Sequence, residues 1–391
     1  MECHIPYTVY HIPYTVSMLI GIEATRANKP IKTGVERYAY HVIQELKKLT
    51  VGNENSWVLY SNAVLHGGLE TLPENWYEVR IKWPFPYGWT QLRFSYELSR
   101  RPPNVLWLPG STLPRIVPKQ TVVTMHDIGF HRFPHLYKSR QVRIHEHAMK
   151  EIARKAARIL TVSEYSGREI AEAYGVDPHK IAITPCGIDH SSYHPITDTD
   201  ALEERLQRYQ LSRPFFLAVG RLEAKKNLIM LVKAFTSFKA RLGVGSPYRL
   251  VLVGPPGFGS EAIRQEIVRS SAASDILELG YVPEADLPHL LNAAEALIHP
   301  SFYEGFGIPP VQAMACGFPV ISSNAASLPE ILGDAALFFS PSEPEQLAET
   351  FRKFVGDVAL QDELRRKGIE RAARYTWQAT AEKTLPVLTN W

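Results

Sequence analysis

From Met18 onward, short apolar runs alternate with segments whose apolar residues recur at helical spacing. MLIGIEA precedes the helical pattern GVERYAYHVIQELKKL, NVLWLPG and TVVTMHD precede a long basic helical pattern near residues 138–158, and ARILTVS precedes EYSGREIAEAYG. Apolar strands that alternate with amphipathic helices are typical of a parallel sheet covered on both faces. The first half of the chain is therefore predicted to be a βαβ structure of this kind.

A turn-rich break at residues 187–200, GIDHSSYHPITDTD, interrupts this rhythm. Apolar runs then resume as FFLAVG, YRLVLVG, ILELG, EALIHP, PVISSN and ALFFSP, and most are followed by a helical stretch. The pattern predicts an α/β fold with two Rossmann-like, doubly wound parallel-sheet halves joined by a linker. The carboxyl ends of both sheets are expected at a shared cleft, where such sheets bind ligands.

The final segment, RYTWQATAEKTLPVLTN, predicts an amphipathic helix that packs back across the domain junction. Residues 1–17 stand apart, because HIPYTV occurs twice, immediately before Met18. We expect them to be an added extension or the product of a misplaced start site. The expected domains are an N-terminal Rossmann-like domain at residues 18–195, a C-terminal Rossmann-like domain at 196–372 and the last helix at 373–391.

The composition is that of a soluble globular protein, with 45% apolar and 21% charged residues. A chain of 391 residues predicts two or three domains. The net charge of +3 gives no support to a nucleic-acid partner. The cysteines Cys3, Cys186 and Cys316 indicate a reducing compartment such as the cytoplasm, rather than a disulfide or zinc framework. No run approaches the roughly 20 apolar residues of a transmembrane helix.

Two cations follow the first strand of the second half, in VGRLEAKKN at residues 219–227. Arg221 offers a planar fork of donors and Lys226 a mobile point charge, and together they suit a diphosphate. Asn227 is expected to be the N-cap of the next helix. A solvated charged loop is the alternative and the commoner arrangement for such residues.

A loop of glycines and prolines, EGFGIPPVQAMACG at residues 304–317, is a second candidate. Its two prolines carry no N–H, so donors aimed outward from the turn must come from residues 305–308, with Glu304 at the rim. Such a turn is a small nest that faces an anion. Gly317 is predicted to end the helix that follows. An ordinary strand-to-helix turn is the alternative.

Two candidates lie in the first half of the chain. His126 and Asp127 end a strand in VTMHDIGF, where a histidine can hydrogen-bond a substrate or titrate near neutrality. A structural histidine is an equal alternative. Gly34 begins a helix in TGVERY, so its N–H and that of Val35 can face an anion across the cleft. An ordinary glycine before a helix is the alternative there.

Three other signals favour structural roles. Asp198 and Asp200 have the spacing of a metal-bound nucleotide-sugar site, but helix capping in the linker explains them better. GPPGFG, residues 254–259, lacks the spacing of a dinucleotide fingerprint and is expected to be a mobile turn. The cations of the long helix are interpreted as a solvated face, with an anionic membrane surface as the alternative. They are Arg140, Arg143, Lys150, Arg154, Lys155 and Arg158.

Together these residues resemble the retaining glycosyltransferases of family 4, which have the GT-B fold. The resemblance runs from Met18 through TGVERY, TVVTMHDIGF, ILTVSEYS, PCGIDHSSYHP, FFLAVGRLEAKKN and RYTW, and is most specific over residues 279–339. It implies transfer of a sugar from a nucleoside-diphosphate sugar to a glycan, lipid-linked or small-molecule acceptor, in polysaccharide or glycoconjugate synthesis. By the same resemblance, residues 18–195 form the acceptor-side domain and residues 196–372 the donor-binding domain. GDP-mannose is the first expectation for the donor and a UDP-sugar the next. Neither a metal nor another cofactor is implied.

The loop at 304–317 resembles the donor-binding E-x7-E motif of that family. By resemblance, Glu304 holds hydroxyls of the transferred sugar, and position 312 holds the nucleotide ribose. This chain departs from the motif with Gln312, whose amide accepts at one end and donates at the other. A structural alternative is that Gln312 caps its own helix. The amides expected to face the diphosphate and sugar are those of Gly305, Phe306, Gly307 and Ile308.

The resemblance further implies that Arg221 and Lys226 neutralise the donor diphosphate and that His126 approaches the sugar. The backbone near Tyr281 and Val282 is expected to meet the base. Two other functions stay open: a GT-B enzyme of different chemistry, such as a sugar-nucleotide epimerase, and a non-catalytic GT-B subunit that supports a partner enzyme. The expected location is the cytoplasm, with peripheral contact to the inner face of a membrane as an alternative.

Overall fold

The computed structural model describes residues 8–9, 17–243 and 245–391. Most of the predicted extension at residues 1–17 lies outside the described residues. By its internal contacts the chain divides into two compact units. Unit 1 contains the described residues up to Ile128, Arg143–Gly187 and Trp377–Trp391, and unit 2 contains Gly129–Val142 and Ile188–Thr376. The division between Gly187 and Ile188 falls in the turn-rich break, ahead of the domain boundary that the sequence pattern predicts after residue 195.

Unit 1 is built on one sheet of eight strands. Its strands are β1 Thr8–Val9, β2 Leu19–Glu23, β3 Ser56–Ser61, β4 Trp76–Arg80, β5 Val105–Leu108, β6 Gln120–Thr124, β7 Arg158–Thr161 and β8 Ile181–Ile183. Across the sheet they run in the order β1-β4-β3-β2-β5-β6-β7-β8. Strand β1 is antiparallel to β4, and the remaining pairs are parallel. The four apolar runs of the first half are confirmed as β2, β5, β6 and β7.

The helices of the first half are α1 Gly34–Leu49, α2 Ser95–Arg100, α3 Gly129–Arg132, α4 Ser139–Lys155 and α5 Glu164–Tyr174. A π-helix at Trp89–Phe94 leads into α2, and short 3-10 turns lie at Pro134–Leu136 and Pro178–Lys180. Helix α1 has the bounds that its apolar periodicity predicts. It begins with a capping box, in which the Glu36 carboxylate accepts the N–H of Thr33 at 3.3 Å.

Unit 2 contains a parallel sheet of six strands, and all six predicted runs are confirmed. They are β9 Phe215–Val219, β10 Arg249–Val253, β11 Ile276–Gly280, β12 Leu297–His299, β13 Val320–Ser323 and β14 Ala336–Phe339. Their order is β11-β10-β9-β12-β13-β14, and every pair is parallel. Counted from β9, this is the 3-2-1-4-5-6 order of a doubly wound nucleotide-binding sheet.

The remaining helices are α6 Thr199–Arg208, α7 Leu228–Leu242, α8 Ser260–Arg269, α9 Leu287–Ala293, α10 Ile308–Ala315, α11 Leu328–Leu332, α12 Pro344–Val355, α13 Val358–Ala372 and α14 Trp377–Thr389. Short 3-10 turns lie at Ala224–Lys226, Ala273–Asp275 and Gly333–Ala335. The core of unit 2 joins the sheet to α7 and α12, with the rings of Phe216 and Phe351 4.6 Å apart. Among the described residues, no helix combines the length and the apolar character needed to cross a bilayer.

The last helix, α14, belongs to unit 1. The indole of Trp377 stacks on His41 at 4.8 Å, and the Thr380 hydroxyl donates to the carbonyl of Pro185 at 2.6 Å. Arg158 donates to the carbonyls near the end of this helix and lies 4.1 Å from the ring of Trp391. Arg158 is therefore committed to holding α14 and is not part of a free basic face.

Candidate functional site

The strand order of unit 2 reverses between β9 and β12, which are neighbours in the sheet. Loops that leave the carboxyl ends of two such strands diverge, and the crevice between them is the usual ligand site of an open α/β sheet. The loop after β9 carries Arg221 and Lys226, and the loop after β12 carries Ser301 and Glu304. A small pocket lies between these loops, and its lining includes Gly220, Arg221, Lys226, His299 and Ser301.

The loop after β9 is held by the glycine-rich turn at residues 254–259. Gly254 has a φ of 140°, and a Cβ at this position would lie 2.0 Å from the carbonyl oxygen of Gly220. Only glycine permits so close an approach of two backbones. The N–H of Leu222 then donates to the carbonyl of Pro255 at 3.0 Å. The segment GPPGFG thus packs against the cation loop and supports it, and its mobility stays a prediction.

Lys226 and Glu304 form an ion pair between the two loops. Nζ of Lys226 lies 2.5 Å from Oε1 of Glu304, and the two side chains are only 15% and 11% exposed. A backbone hydrogen bond of 3.0 Å, from Phe302 N–H to the carbonyl of Lys225, joins the same loops. Because both charges are largely removed from water, their attraction is screened less than that of a surface pair. Two of the residues predicted from the sequence are therefore in direct contact.

Two neutral donors converge on the same oxygen of Glu304. The Ser301 hydroxyl lies 2.8 Å from Oε1, and Nε2 of His299 lies 3.2 Å from it. Oε2 accepts no hydrogen bond from any residue that the structure describes. Burial alone would raise the pKa of Glu304, but the charge of Lys226 and the His299 hydrogen bond outweigh burial and hold that pKa well below its usual value. Glu304 is therefore an ionised carboxylate with one oxygen engaged.

His299 is the last residue of β12 and is 2% exposed. Burial lowers the pKa of its imidazole by more than the hydrogen bond to Glu304 raises it, so the ring is neutral at pH 7. A carboxylate oxygen only accepts, which assigns the proton to Nε2. His299 and Ser301 are absent from the sequence prediction. The signal that could have found them is the pair of polar side chains that ends an apolar strand in LIHPS.

The turn after Glu304 has the shape that its glycines predict. Gly307 has a φ of 90°, and a Cβ there would lie 2.7 Å from Cδ2 of Leu328. Helix α10 begins at Ile308, and Gly317, with a φ of 74°, ends it as predicted. Outside the turn, the Ser327 hydroxyl donates to the carbonyl of Glu304 at 2.8 Å and fixes the backbone from which the carboxylate extends.

Three backbone donors of this turn are available. The N–H groups of Phe306, Gly307 and Ile308 donate to none of the described residues. They lie at the N-terminus of α10, the positive end of the helix dipole. Gly305 is buried just before them, and the Phe306 ring meets the edge of Tyr375 at 5.2 Å. The turn thus presents a set of donors suited to an anion.

Gln312 lies in the second turn of α10 and is 6% exposed. Its side-chain amide forms no hydrogen bond with the described part of the chain, and no side chain caps the N-terminus of α10. The alternative that Gln312 caps its own helix is therefore wrong. Neither atom of the amide is among the fully buried polar atoms without a partner, so the amide stays accessible to water or to a ligand that hydrogen-bonds it.

The other predicted donor-site residues of unit 2 differ in their exposure. Arg221 is exposed and forms no ion pair or hydrogen bond with the residues that the structure covers. Tyr281 and Val282 follow β11, which β10 separates from β9. The Tyr281 ring is 65% exposed, whereas Val282 is buried. The structure thus brings Arg221, Lys226 and Glu304 to the strand-order reversal and leaves Tyr281 and Val282 two strands away from β9.

His126 belongs to unit 1 and follows strand β6. Its Nε2 lies 3.0 Å from the carbonyl oxygen of Pro109, and its ring meets the edge of Tyr38 at 4.9 Å. Since a carbonyl only accepts, Nε2 carries the proton and Nδ1 is left as an acceptor. Burial lowers the pKa of His126 below its usual value. The imidazole is therefore mainly neutral at pH 7, and its hydrogen bond to Pro109 agrees with the alternative of a structural histidine.

Gly34 begins helix α1 in unit 1, as predicted. The N–H groups of Gly34 and Val35 donate to none of the described residues. The first turn of this helix also holds a carboxylate that the sequence prediction missed. It is that of Glu36, which is 5% exposed and pairs with Lys29 at 2.9 Å. This carboxylate already lies at the positive end of the helix and competes with any external anion there.

Two capping predictions concern Asp198 and Asn227. The carboxylate of Asp198 accepts the N–H of Ala201 at 3.1 Å and caps α6, which confirms the structural interpretation of Asp198. Asn227 is the N-cap residue of α7 as predicted, with a φ of 56°, but its side chain donates to the carbonyl of Pro341 at 2.7 Å and forms no capping hydrogen bond. In the described residues, no group of three or more His, Cys, Asp or Glu side chains is placed to hold a metal ion.

The chain is similar to known glycosyltransferases along most of its length. A profile of glycosyl transferases group 1 matches residues 203–374, and a profile of glycosyltransferase family 4 matches residues 32–192. O-antigen chain mannosyltransferase B of Escherichia coli is 32% identical over 268 residues, which cover 68% of this chain and 69% of that protein. Serotype-specific mannosyltransferase WbdA of Escherichia coli is 27% identical over 274 residues, which cover 68% of this chain and 33% of that longer protein.

A solved structure agrees with the fold. HepE of Anabaena, in complex with UDP-glucose, superposes with a TM-score of 0.72 at 17% identity, over 96% of this chain and 100% of that chain. Similarity at this level of identity concerns the fold, whereas the profiles and the E. coli relative concern the family. On these grounds the chain has the GT-B fold and belongs to glycosyltransferase family 4, the glycosyl transferases group 1.

Proposed function

We propose that this glycosyltransferase is a retaining enzyme that moves a sugar from a nucleoside-diphosphate sugar to a hydroxyl of a glycan, lipid-linked or small-molecule acceptor, without a metal. The observation that carries the proposal is the 2.5 Å contact between Lys226 and Glu304 at the strand-order reversal of unit 2. It joins a cation suited to a diphosphate to a carboxylate suited to sugar hydroxyls.

The diphosphate is assigned to Arg221, Lys226 and the N–H groups of residues 306–308. Arg221 has no partner among the described residues, and those N–H groups donate to none of them. Two cations and a helix N-terminus together match the several oxygens and the negative charge of a diphosphate. The N–H of Gly34, in unit 1, is proposed to face an anion, in competition with the Glu36 carboxylate of the same helix turn.

The sugar, ribose and base are assigned to other groups. Glu304 is proposed to accept hydroxyls of the transferred sugar, and the side-chain amide of Gln312 to hold the ribose. The backbone of Tyr281 and Val282 is proposed to meet the base. His126, with its proton on Nε2, is proposed to offer Nδ1 to a substrate hydroxyl.

The proposed reaction is a front-face displacement with retention. The bond from the sugar C1 to the phosphate oxygen breaks, and the acceptor oxygen bonds to C1 on the same face. The acceptor proton passes to an oxygen of the leaving diphosphate. Arg221 and Lys226 stabilise the negative charge that develops on the leaving group, which is the principal catalytic effect. We assign no side chain as a covalent nucleophile.

The leading donor is GDP-mannose, with a UDP-sugar next. Two E. coli relatives are named mannosyltransferases, and HepE was solved with UDP-glucose. The proposal of metal independence rests on the two cations, because they supply the charge compensation that a divalent ion supplies in other transferases. Peripheral contact with an anionic membrane is proposed for the exposed cations of α4, among them Arg143 and Lys150.

A ligand panel followed by product analysis tests the proposal. Thermal melts with GDP-, UDP-, ADP- and dTDP-sugars identify the donor, because a ligand at 100 times its dissociation constant adds about 2.7 kcal/mol to the free energy of unfolding. We expect release of free nucleoside diphosphate from that donor and a product whose anomeric configuration matches it, by NMR. Epimerised nucleotide sugar as the product would support the epimerase alternative. Binding without turnover would support the non-catalytic subunit.

A further inference from the structure

We infer that His299 and Ser301 are positioning residues that hold Oε1 of Glu304 and thereby leave Oε2 to accept a hydroxyl of the transferred sugar. The inference deepens the proposed function and rests on it. Its basis is the asymmetry of one carboxylate. Lys226, Ser301 and His299 approach Oε1 at 2.5, 2.8 and 3.2 Å, whereas Oε2 accepts no hydrogen bond from the part of the chain that the structure describes.

Both neutral donors are fixed more firmly than a surface side chain. His299 ends β12 and pairs in register with Ser322 of β13, and it is 2% exposed. Ser301 is fully buried, and its carbonyl accepts the hydroxyl of Ser323 at 2.6 Å. The hydroxyl of Ser301 also lies 3.3 Å from Nε2 of His299. The two donors are therefore held by the sheet and its neighbouring strand, independently of any ligand.

The three donors differ in what happens to them when the donor sugar binds. Lys226 is also assigned to the diphosphate, so its ammonium is shared between Glu304 and the ligand. His299 and Ser301 line the same pocket, but both side chains are neutral, so the diphosphate does not draw them away from Glu304. When Lys226 turns toward the diphosphate, these two residues remain to hold Oε1. Without them a glutamate with several rotatable bonds samples orientations that do not face the sugar.

The direct test compares variants that remove or retain each donor. His299→Phe keeps a ring and loses the N–H, His299→Gln keeps an N–H donor, and Ser301→Ala loses the hydroxyl. Ser322→Ala is the matched control, because Ser322 is a buried serine beside His299 whose hydroxyl donates to Ser323 and does not contact Glu304. Each variant is measured for kcat and KM with the donor, for the Kd of free nucleoside diphosphate and for Tm.

We expect His299→Phe and Ser301→Ala each to lower kcat about tenfold or more, the scale of one hydrogen bond to a charged group. The Kd of the free nucleoside diphosphate should stay within about twofold, since it lacks the sugar. His299→Gln should recover most of the lost kcat, and Ser322→Ala should retain it. A merely structural role would lower Tm and weaken nucleotide binding in step with kcat, with no recovery in His299→Gln.

Wild-type kcat in both His299→Phe and Ser301→Ala would overturn the inference and leave the proposed function standing. A loss of kcat in these variants that is matched by an equal loss of affinity for the free nucleoside diphosphate would also overturn the inference and leave the proposed function standing. Absence of nucleoside-diphosphate release by the wild-type chain, with every donor of the panel, would overturn the proposed function, and the inference would fall with it.

Discussion

The ammonium of Lys226 and the carboxylate of Glu304 belong to different loops and meet at 2.5 Å, with both side chains mostly buried. The proposed function assigns Lys226 to the diphosphate of the donor and Glu304 to its sugar. Each charge thus faces its counterion and is largely removed from water before any ligand arrives. A diphosphate that engages Lys226 must compete with Glu304 for the same ammonium.

The first prediction concerns that ammonium. Lys226→Ala should lower turnover by on the order of a hundredfold or more, because a lost contact to charge that develops in the transition state costs roughly 2.7 to 4 kcal/mol. Initial rates with saturating donor measure the effect. Lys367→Ala is the control, since this lysine of unit 2 pairs with Asp334 at 3.0 Å and with Glu363 at 2.8 Å, and neither carboxylate belongs to the candidate site. Near-normal turnover in Lys226→Ala would remove this lysine from the diphosphate site.

The second prediction concerns the departure from the family motif. Gln312→Ala should weaken binding of both the donor and the free nucleoside diphosphate by roughly 0.5 to 1.5 kcal/mol, the scale of a neutral hydrogen bond. Gln312→Met fills the same space without a hydrogen bond and should show the same loss. Tm should change little in Gln312→Met, because the amide has no partner among the described residues. Calorimetric titration that shows normal nucleotide affinity in both variants would exclude the ribose role.

Gln312→Glu is a separate test, because it restores the carboxylate of the family motif. Hydrogen bonds to a charged group are worth roughly 1.5 to 3 kcal/mol. The added negative charge lies on the same loop and helix as the diphosphate donors, but Lys226 and Arg221 should offset it. We expect the Kd of the free nucleoside diphosphate to be unchanged or lower. A Kd raised tenfold would show that repulsion of the diphosphate outweighs the restored contact.

The third prediction concerns metals. Turnover should persist in excess EDTA, and the double change of Asp198 and Asp200 to Asn should leave it nearly intact. Asp198 already caps helix α6, so the expected cost is in stability, about 1 kcal/mol or less, since Asn is also a good N-cap. A requirement for magnesium or manganese in the chemical step, seen as recovery of rate on adding back the ion, would contradict the proposed charge compensation by Arg221 and Lys226.

The fourth prediction concerns the support of the cation loop. Gly254→Ala should lower both Tm and turnover, because its Cβ would lie 2.0 Å from the carbonyl oxygen of Gly220 at a φ of 140°. Gly52→Ala is the control, since Gly52 also has a positive φ, of 71°, but has no atom within 4 Å of the added Cβ. It carries the backbone strain alone, roughly 1 to 3 kcal/mol. Equal losses of Tm and turnover in the two variants would show that the close approach has no effect of its own.

The sequence predicts much of this fold because buried parallel strands are continuous apolar runs. All six strands of unit 2 and the bounds of α1 follow from such local patterns. What it misses depends on partners that are distant in the chain. The side chain of Asn227 is a plausible cap until Pro341 supplies a nearby carbonyl. The role of Gly254 becomes visible only when β9 and β10 lie side by side.

In the candidate site, too, local motifs are predictable from the sequence and contacts between distant residues are not. Arg221, Lys226, Glu304 and the glycine turn lie in motifs whose residue types already indicate an anion and a sugar. His299 and Ser301 carry no motif of their own, and their importance comes from the convergence of their donors on one carboxylate oxygen. The buried state of Gln312 likewise requires the packed helix α10, because the same residue on an exposed helix would be solvated.

The placement of α14 in unit 1 affects the order in which the chain can fold during synthesis. The strands of unit 1 emerge from the ribosome first, but Tyr38, His41 and Arg158 obtain their partners on α14 only after residue 377 has been made. Domains usually fold as units during translation, N-terminal first. Unit 2 consists of Gly129–Val142 and the continuous segment Ile188–Thr376, all of which is synthesised before α14. Unit 2 can therefore approach its folded state while unit 1 still lacks its last helix.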